Sequence, residues 1–225
     1  MKPILSFAAL ALLSISTANV ASGALIAGQS LGIDLGNVTA TNSFNVANAS
    51  AAFFTGSPIS GLVDIAGGSV SGVTMQFNNF GSMGTIAAAP GGIPAPFDSS
   101  NTIDYASSMS AATITLNGLD DALIYRVTIV AALDTWTTVP NTYTVAGISA
   151  DPIDVLSSDN ISVLDNITIS GGVMQIVGDN SVSSYGGVFN SVLIEAFAAP
   201  VPEPSTALCG GLAGLLMLTR RRRTA

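Results

Sequence analysis

The run ALIYRVTIVAAL, Ala122 to Leu133, is the feature that most restricts what this chain can become. Leu123, Tyr125, Val127, Ile129, Ala131 and Leu133 fall on one face, and Ile124, Arg126, Thr128, Val130 and Ala132 on the other. A period of two with β-branched and aromatic residues predicts a long, largely buried strand, with Tyr125 in the core by its phase. Around it, ATITLNGLDD predicts a strand through Leu116 and a turn at Asn117-Gly118, and NTYTVAGI a strand after Pro140. NITISGGVMQIVGD predicts a hairpin about Gly171-Gly172, and FNSVLIEAF a closing strand. SFNVA, GVTMQFNNF and GTIAA are shorter candidates, and Ala89 to Ser100 is a Pro/Gly loop. Nothing between Leu25 and Phe197 has the pattern of a long amphipathic helix, and there is no fixed-period repeat. Many short strands separated by Gly, Asn and Ser turns predict an all-β sandwich.

The two ends have a different character. Lys2, the apolar run Ile4 to Ser16 and the small residues up to Ala24 have the layout of a secretory signal peptide, with Ala21/Gly23 or Ser22/Ala24 as cleavage positions; an uncleaved membrane helix is the alternative. At the other end Ala207 to Leu218 is uncharged and apolar, then Arg220, Arg221, Arg222 and Arg223 follow. Twelve helical residues span about 18 Å, short of the roughly 20 residues of an ordinary membrane span. Insertion then relies on snorkelling arginines and local thinning, and the positive-inside rule keeps the arginines cytoplasmic. The division expected is a signal peptide at 1–24, a sandwich domain at 25–198 and a sorting tail at 199–225, with a membrane helix at 207–218 and a stop cluster at 220–223.

The tail carries a resemblance. VPEPST, then a short apolar helix, then an arginine cluster resembles the PEP-CTERM sorting signal of Gram-negative bacteria, matched at Val201, Pro202, Glu203 and Pro204. The resemblance covers about the last 25 residues and implies an exosortase-type membrane protease that reads Glu203 and cleaves near the motif. It also implies transient inner-membrane insertion and delivery to the cell surface or an exopolysaccharide matrix. Signal peptidase is the partner at the other end. A permanent single-span anchor is the alternative for the tail.

From Ala24 to Pro200 thirteen acids face one base, Arg126, for a formal charge of −12, with no lysine or histidine. Such a polyanion cannot neutralise phosphates, so nucleic acid is excluded as a partner. With 48% apolar and 9% charged residues the chain is nevertheless a folding one. Cys209, the only cysteine, lies in the tail, so the domain has no disulfide. Without histidine or a domain cysteine there is no Ser-His-Asp or Cys-His pair and no His-based metal centre. A carboxylate pair for glycoside hydrolysis is the one catalytic constellation left open. The expectation is that the chain is not an enzyme.

Calcium is the metal that this oxygen-rich sequence suits. Asp151, Asp154 and Asp159 share one expected loop, and Asp120 and Asp121 another; none has EF-hand spacing, and solvated Asx turns are the plainer reading. For a sugar, Trp136 is the stacking residue to consider, with Asp134 two positions before it, against the plainer reading of a cap on the core edge. Tyr105 and Tyr185 are further loop-like aromatics. A second resemblance, of ITLNGLDDALIYRVTIVAAL, GGVFNSVLIEAF and LGIDLGN, is to galactose-binding-like jelly rolls over about half the domain. It implies a jelly-roll-like topology and a carbohydrate-associated role. The expected protein is a secreted bacterial surface or matrix protein, structural or adhesive beside exopolysaccharide. A carbohydrate-binding module is the alternative, and a polysaccharide hydrolase stands third.

Overall fold

The alternating run does form a strand, Leu123–Val130, in a computed structural model that describes residues 24–36, 42–47, 55–87, 92–133, 140–150, 153–154, 160–179 and 187–200. The elements in chain order are β1 (Ser30–Asp34), β2 (Asn45–Val46), β3 (Leu62–Val63), β4 (Ser69–Val70), β5 (Thr74–Asn78), β6 (Ser82–Thr85) and a 3₁₀ turn at Ser99–Asn101. Then come β7 (Asp104–Ser107), β8 (Ala112–Asn117), β9 (Leu123–Val130), β10 (Pro140–Val145), β11 (Ile148–Ser149), β12 (Ile153–Asp154), β13 (Ile161–Ile167), β14 (Val173–Asp179), β15 (Val188–Phe189) and β16 (Ser191–Ala198). The signal-peptide residues 1–23, Tyr185 and the whole tail from Val201 lie outside the described residues. Among the described residues no helix is long and apolar enough to cross a membrane.

Two sheets carry the fold. The first has the order β13-β9-β16-β1-β2, and the second β11-β10-β14-β8-β5, with β12 also pairing β10. A three-stranded sheet β15-β7-β6 and the β3-β4 pair complete it. The alternation in each strand selects its inner face. Tyr125, Val127 and Ile129 of β9, Val192 and Ile194 of β16 and Leu31 and Ile33 of β1 meet Met75, Phe77, Ile114, Leu116, Tyr143, Val145, Met174 and Ile176 of the second sheet in one buried cluster. A run of aromatics crosses it, with ring centroids 5.1 Å apart for Tyr143 and Phe189, 5.7 Å for Phe189 and Phe80, and 5.8 Å for Phe80 and Phe77. This is the packing that defines a sandwich.

Both expected turns are present, but neither closes a hairpin ladder. The Asn117-Gly118 turn takes the chain from β8 in the second sheet to β9 in the first. At Gly171-Gly172 the expected hairpin is reduced to one bridge, Ser170 to Val173, because β13 pairs β9 while β14 pairs β8 and β10. Both glycines have positive φ, 70° and 69°, as a type I′ reversal requires. The Asp121 carboxylate accepts both of their N–H groups at 2.8 Å, and the Leu119 N–H donates to the Gly172 carbonyl at 3.0 Å, so the two crossing turns are tied together.

Val130 shares the face of Arg126 and is buried, because Phe44 and Phe97 fold over it and Leu193. Three further expectations need correction. The strand expected at GTIAA starts two residues earlier, as Ser82–Thr85, and ends before Ile86, which is buried just after it. Tyr105 is no loop aromatic; it lies in β7 and packs against the main core. Asp154 is not in a loop, since β12 pairs with Pro140 and Asn141. At the opposite, open end of the outer face, Arg126 pairs with Asp165, lies 3.9 Å from Glu195 and stacks on Phe197 at 5.7 Å. A register shift between Leu164 and Ile167, with Asn166 at φ 57°, accompanies that arrangement.

Candidate functional site

The outward face of the second sheet is built by the same alternation that fills the core. Thr113, Thr115 and Asn117 of β8, Thr142 and Thr144 of β10, and Val173, Gln175 and Val177 of β14 point away from the buried residues between them. Thr144 lies opposite Val177, and Gln175 opposite Thr115. Over the β10–β14 part of this face lies a groove of about 540 Å³. Its lining is Thr144, Val173, Gln175 and Val177 on the sheet, the Ala146-Gly147 turn on one side and Thr168, Ile169 and Ser170 on the other. Ala146 and Gly147 both have positive φ, so β10 and β11 are joined by a tight two-residue reversal that holds one rim. The Thr144 and Ser149 hydroxyls are 2.9 Å apart at that rim.

No lining residue is ionisable, although the domain is strongly acidic. Hydroxyls, a carboxamide and aliphatic patches can bind a neutral ligand with many hydroxyl groups. They offer nothing to compensate a phosphate or an ammonium group. Sequence reading missed the groove because Thr-x-Thr and Val-x-Gln-x-Val alternations look like any wet strand face.

The opposite end of the sandwich holds a buried polar junction. Asp34 ends β1 directly across from Ser191, which in turn lies across from Val130, so their side chains share the covered outer face of the first sheet. Asp34, Asp104, Thr102, Asn190 and Ser191 are all buried. Asn190 is a hub: its Nδ2 donates to the Thr102 carbonyl at 3.0 Å, and its Oδ1 accepts the Ala132 N–H at 2.6 Å. The Asp104 carboxylate lies so close over Gly36 that a Cβ there would be 1.8 Å from Oδ2, which only glycine permits. Neither Asp34 carboxylate oxygen, nor the Ser191 hydroxyl, has a hydrogen-bond partner. Burial, then the Asp104 and Asp98 charges, push the Asp34 carboxyl from 3.8 up to about 8.

The residues singled out from sequence fare unequally. Trp136 and Asp134, Asp151 and Asp159, Val201 to Pro204 and Arg220 to Arg223 lie outside the described residues. Asp120 and Asp121 have structural tasks: Asp120 accepts the Ala122 N–H at 2.9 Å, and Asp121 holds the glycine turn. Among the described residues no three acidic side chains form a ready metal cage.

No family model and no curated protein matches this chain. Among solved structures, a structural-genomics protein from Bacillus subtilis is similar at 12% identity and TM-score 0.45, over 77% of this chain and 42% of its own. The ANX2 ectodomain from Arabidopsis thaliana is similar at 13% identity and TM-score 0.42, over 78% of this chain and 53% of its own. A family 35 carbohydrate-binding module from Clostridium thermocellum is similar at 16% identity and TM-score 0.35, over 56% of this chain and 92% of its own. The chain thus spans less than half of the first of these. The assignment as a two-sheet sandwich stands on the strand pairing itself.

Proposed function

We propose that this chain is a secreted, non-enzymatic surface protein whose sandwich binds a neutral polysaccharide along the outer face of its second sheet. The observation that carries this reading is the groove of uncharged hydroxyl, amide and aliphatic residues in a domain with thirteen acids. Its volume of about 540 Å³ falls in the range of small-ligand sites, roughly 300–1,000 Å³. The lack of histidine and of a domain cysteine removes the Ser-His-Asp and Cys-His routes to catalysis. Delivery rests on the termini: signal peptidase at one end, and an exosortase-type protease acting at Val201 to Pro204 at the other, with Arg220 to Arg223 holding the precursor in the inner membrane. The mature protein is then placed at the cell surface or in its matrix. Intact mass of protein from the native surface tests that part; a C-terminus near Val201 to Ser205 is expected, and one at Ala225 contradicts processing.

Binding is tested with the full chain on arrays of neutral and anionic polysaccharides, beside Gln175→Ala and Trp136→Ala. The expected result is saturable binding to a neutral glycan. Gln175→Ala weakens it about fivefold to tenfold, as loss of one or two hydrogen bonds would, and Trp136→Ala leaves it unchanged. Loss with Trp136→Ala alone contradicts the groove as the site. Absence of binding to every glycan leaves a purely structural or adhesive protein.

A further inference from the structure

We infer that Asp34, Asp104 and the Ser191 hydroxyl form a calcium site that ties the end of β1 to the β6–β7 hairpin. Asp34 is fully buried, and no protein group satisfies either of its carboxylate oxygens. Buried polar atoms are nearly always paired, and an unpaired buried carboxylate is among the costliest exceptions. The β1–β16 register sets the Ser191 hydroxyl, itself buried and unpartnered, directly across from it on the same face. Directly opposite Cβ atoms in such a pair are about 4.5–5.5 Å apart, which leaves room for an ion between the two side chains. Asp104, pressed against Gly36, closes the junction from β7, and the Asp98 charge lies beyond it.

Every donor here is oxygen, with no imidazole or thiolate. That selects a hard cation over zinc, copper or iron. Two carboxylates and one hydroxyl from three strands, with no group of three acids among the described residues, suit an ion that completes its shell with backbone carbonyls and water. Calcium tolerates so irregular a shell; magnesium requires a near-octahedral one. Asp98 is held by Ser100 and Asn42, and both ends of the Asn190 side chain are used by backbone groups. The site is distinct from Asp151, Asp154 and Asp159, and from the groove at the other end.

The test uses the full chain, stripped with chelator and titrated with calcium chloride or magnesium chloride, with melting temperature and calorimetric stoichiometry as readouts. The expected result is one calcium per chain, a rise of several degrees in Tm and a much smaller rise with magnesium. Asp34→Asn removes the calcium response, and Asp104→Asn also removes it. No calcium effect on the wild type overturns the inference, leaving Asp34 a buried protonated carboxyl. An equal calcium response in wild type and Asp34→Asn also overturns it, since the ion then binds elsewhere. Neither outcome bears on glycan binding in the groove, so the two readings fail independently.

Discussion

The Tyr125 hydroxyl donates to the Asp120 carbonyl at 2.8 Å and accepts the N–H of the same residue at 3.0 Å, closing the turn that feeds β9. Its ring lies in the core, so one side chain serves both packing and turn geometry. Tyr125→Phe keeps the ring and loses both bonds; chemical unfolding should show it about 1–2 kcal/mol less stable. Burial pushes the phenol from 10.0 up to about 12. A pKa raised in the folded state contributes stability that is complete below pH 10 and is lost as pH rises through about 12. Unfolding curves should therefore show wild-type stability falling between pH 10 and 12, with that part of the decline absent in Tyr125→Phe.

At the level of elements, the Asp121 carboxylate is what binds the two crossing turns together. Asp121→Ala should cost about 1–2 kcal/mol in urea unfolding, for two charge-assisted bonds to backbone at an exposed site. Asp120→Ala removes one Asx bond and should cost less. These turns also mark where sequence legibility ends. The alternation of β8, β9, β10, β14 and β16 could be read directly, and so could the glycine reversals. Which sheet each strand joins could not, because Asn117-Gly118 and Gly171-Gly172 specify a reversal of direction and not a partner. Sheet membership follows from where Ile114, Met174 and Tyr125 must bury together, which is a property of the assembled core. The same limit hid Asp34. In LGIDLGN it stands on the face opposite Leu31, Ile33 and Leu35, where an acid looks solvated. Only the fold reveals that Phe44 and Phe97 roof over the first sheet's outer face, where Val130 and Leu193 are buried.

The molecule as a whole is two sheets held at their spacing by large rings and deliberate gaps. Gly178 in β14 is such a gap: a Cβ there would lie 2.6 Å from the Phe189 ring and 3.0 Å from that of Tyr143. Gly178→Ala should therefore overpack the core and lower stability by about 1–3 kcal/mol, read from the shift in denaturant midpoint. One end of the sandwich gathers buried oxygens, and the other carries the groove beside the crossing turns. The groove on the outward threonine and amide face has no ionisable side chain in its lining, and that is the basis for proposing a neutral glycan as its ligand. The most direct test is amide chemical-shift mapping of the chain titrated with neutral gluco-, manno- and galacto-oligosaccharides. The account predicts saturable shifts concentrated at Thr144, Ala146, Gly147, Thr168, Ser170, Gln175 and Val177. Shifts confined to residues around Asp34 and Leu133, or none with any of the sugars, would contradict it.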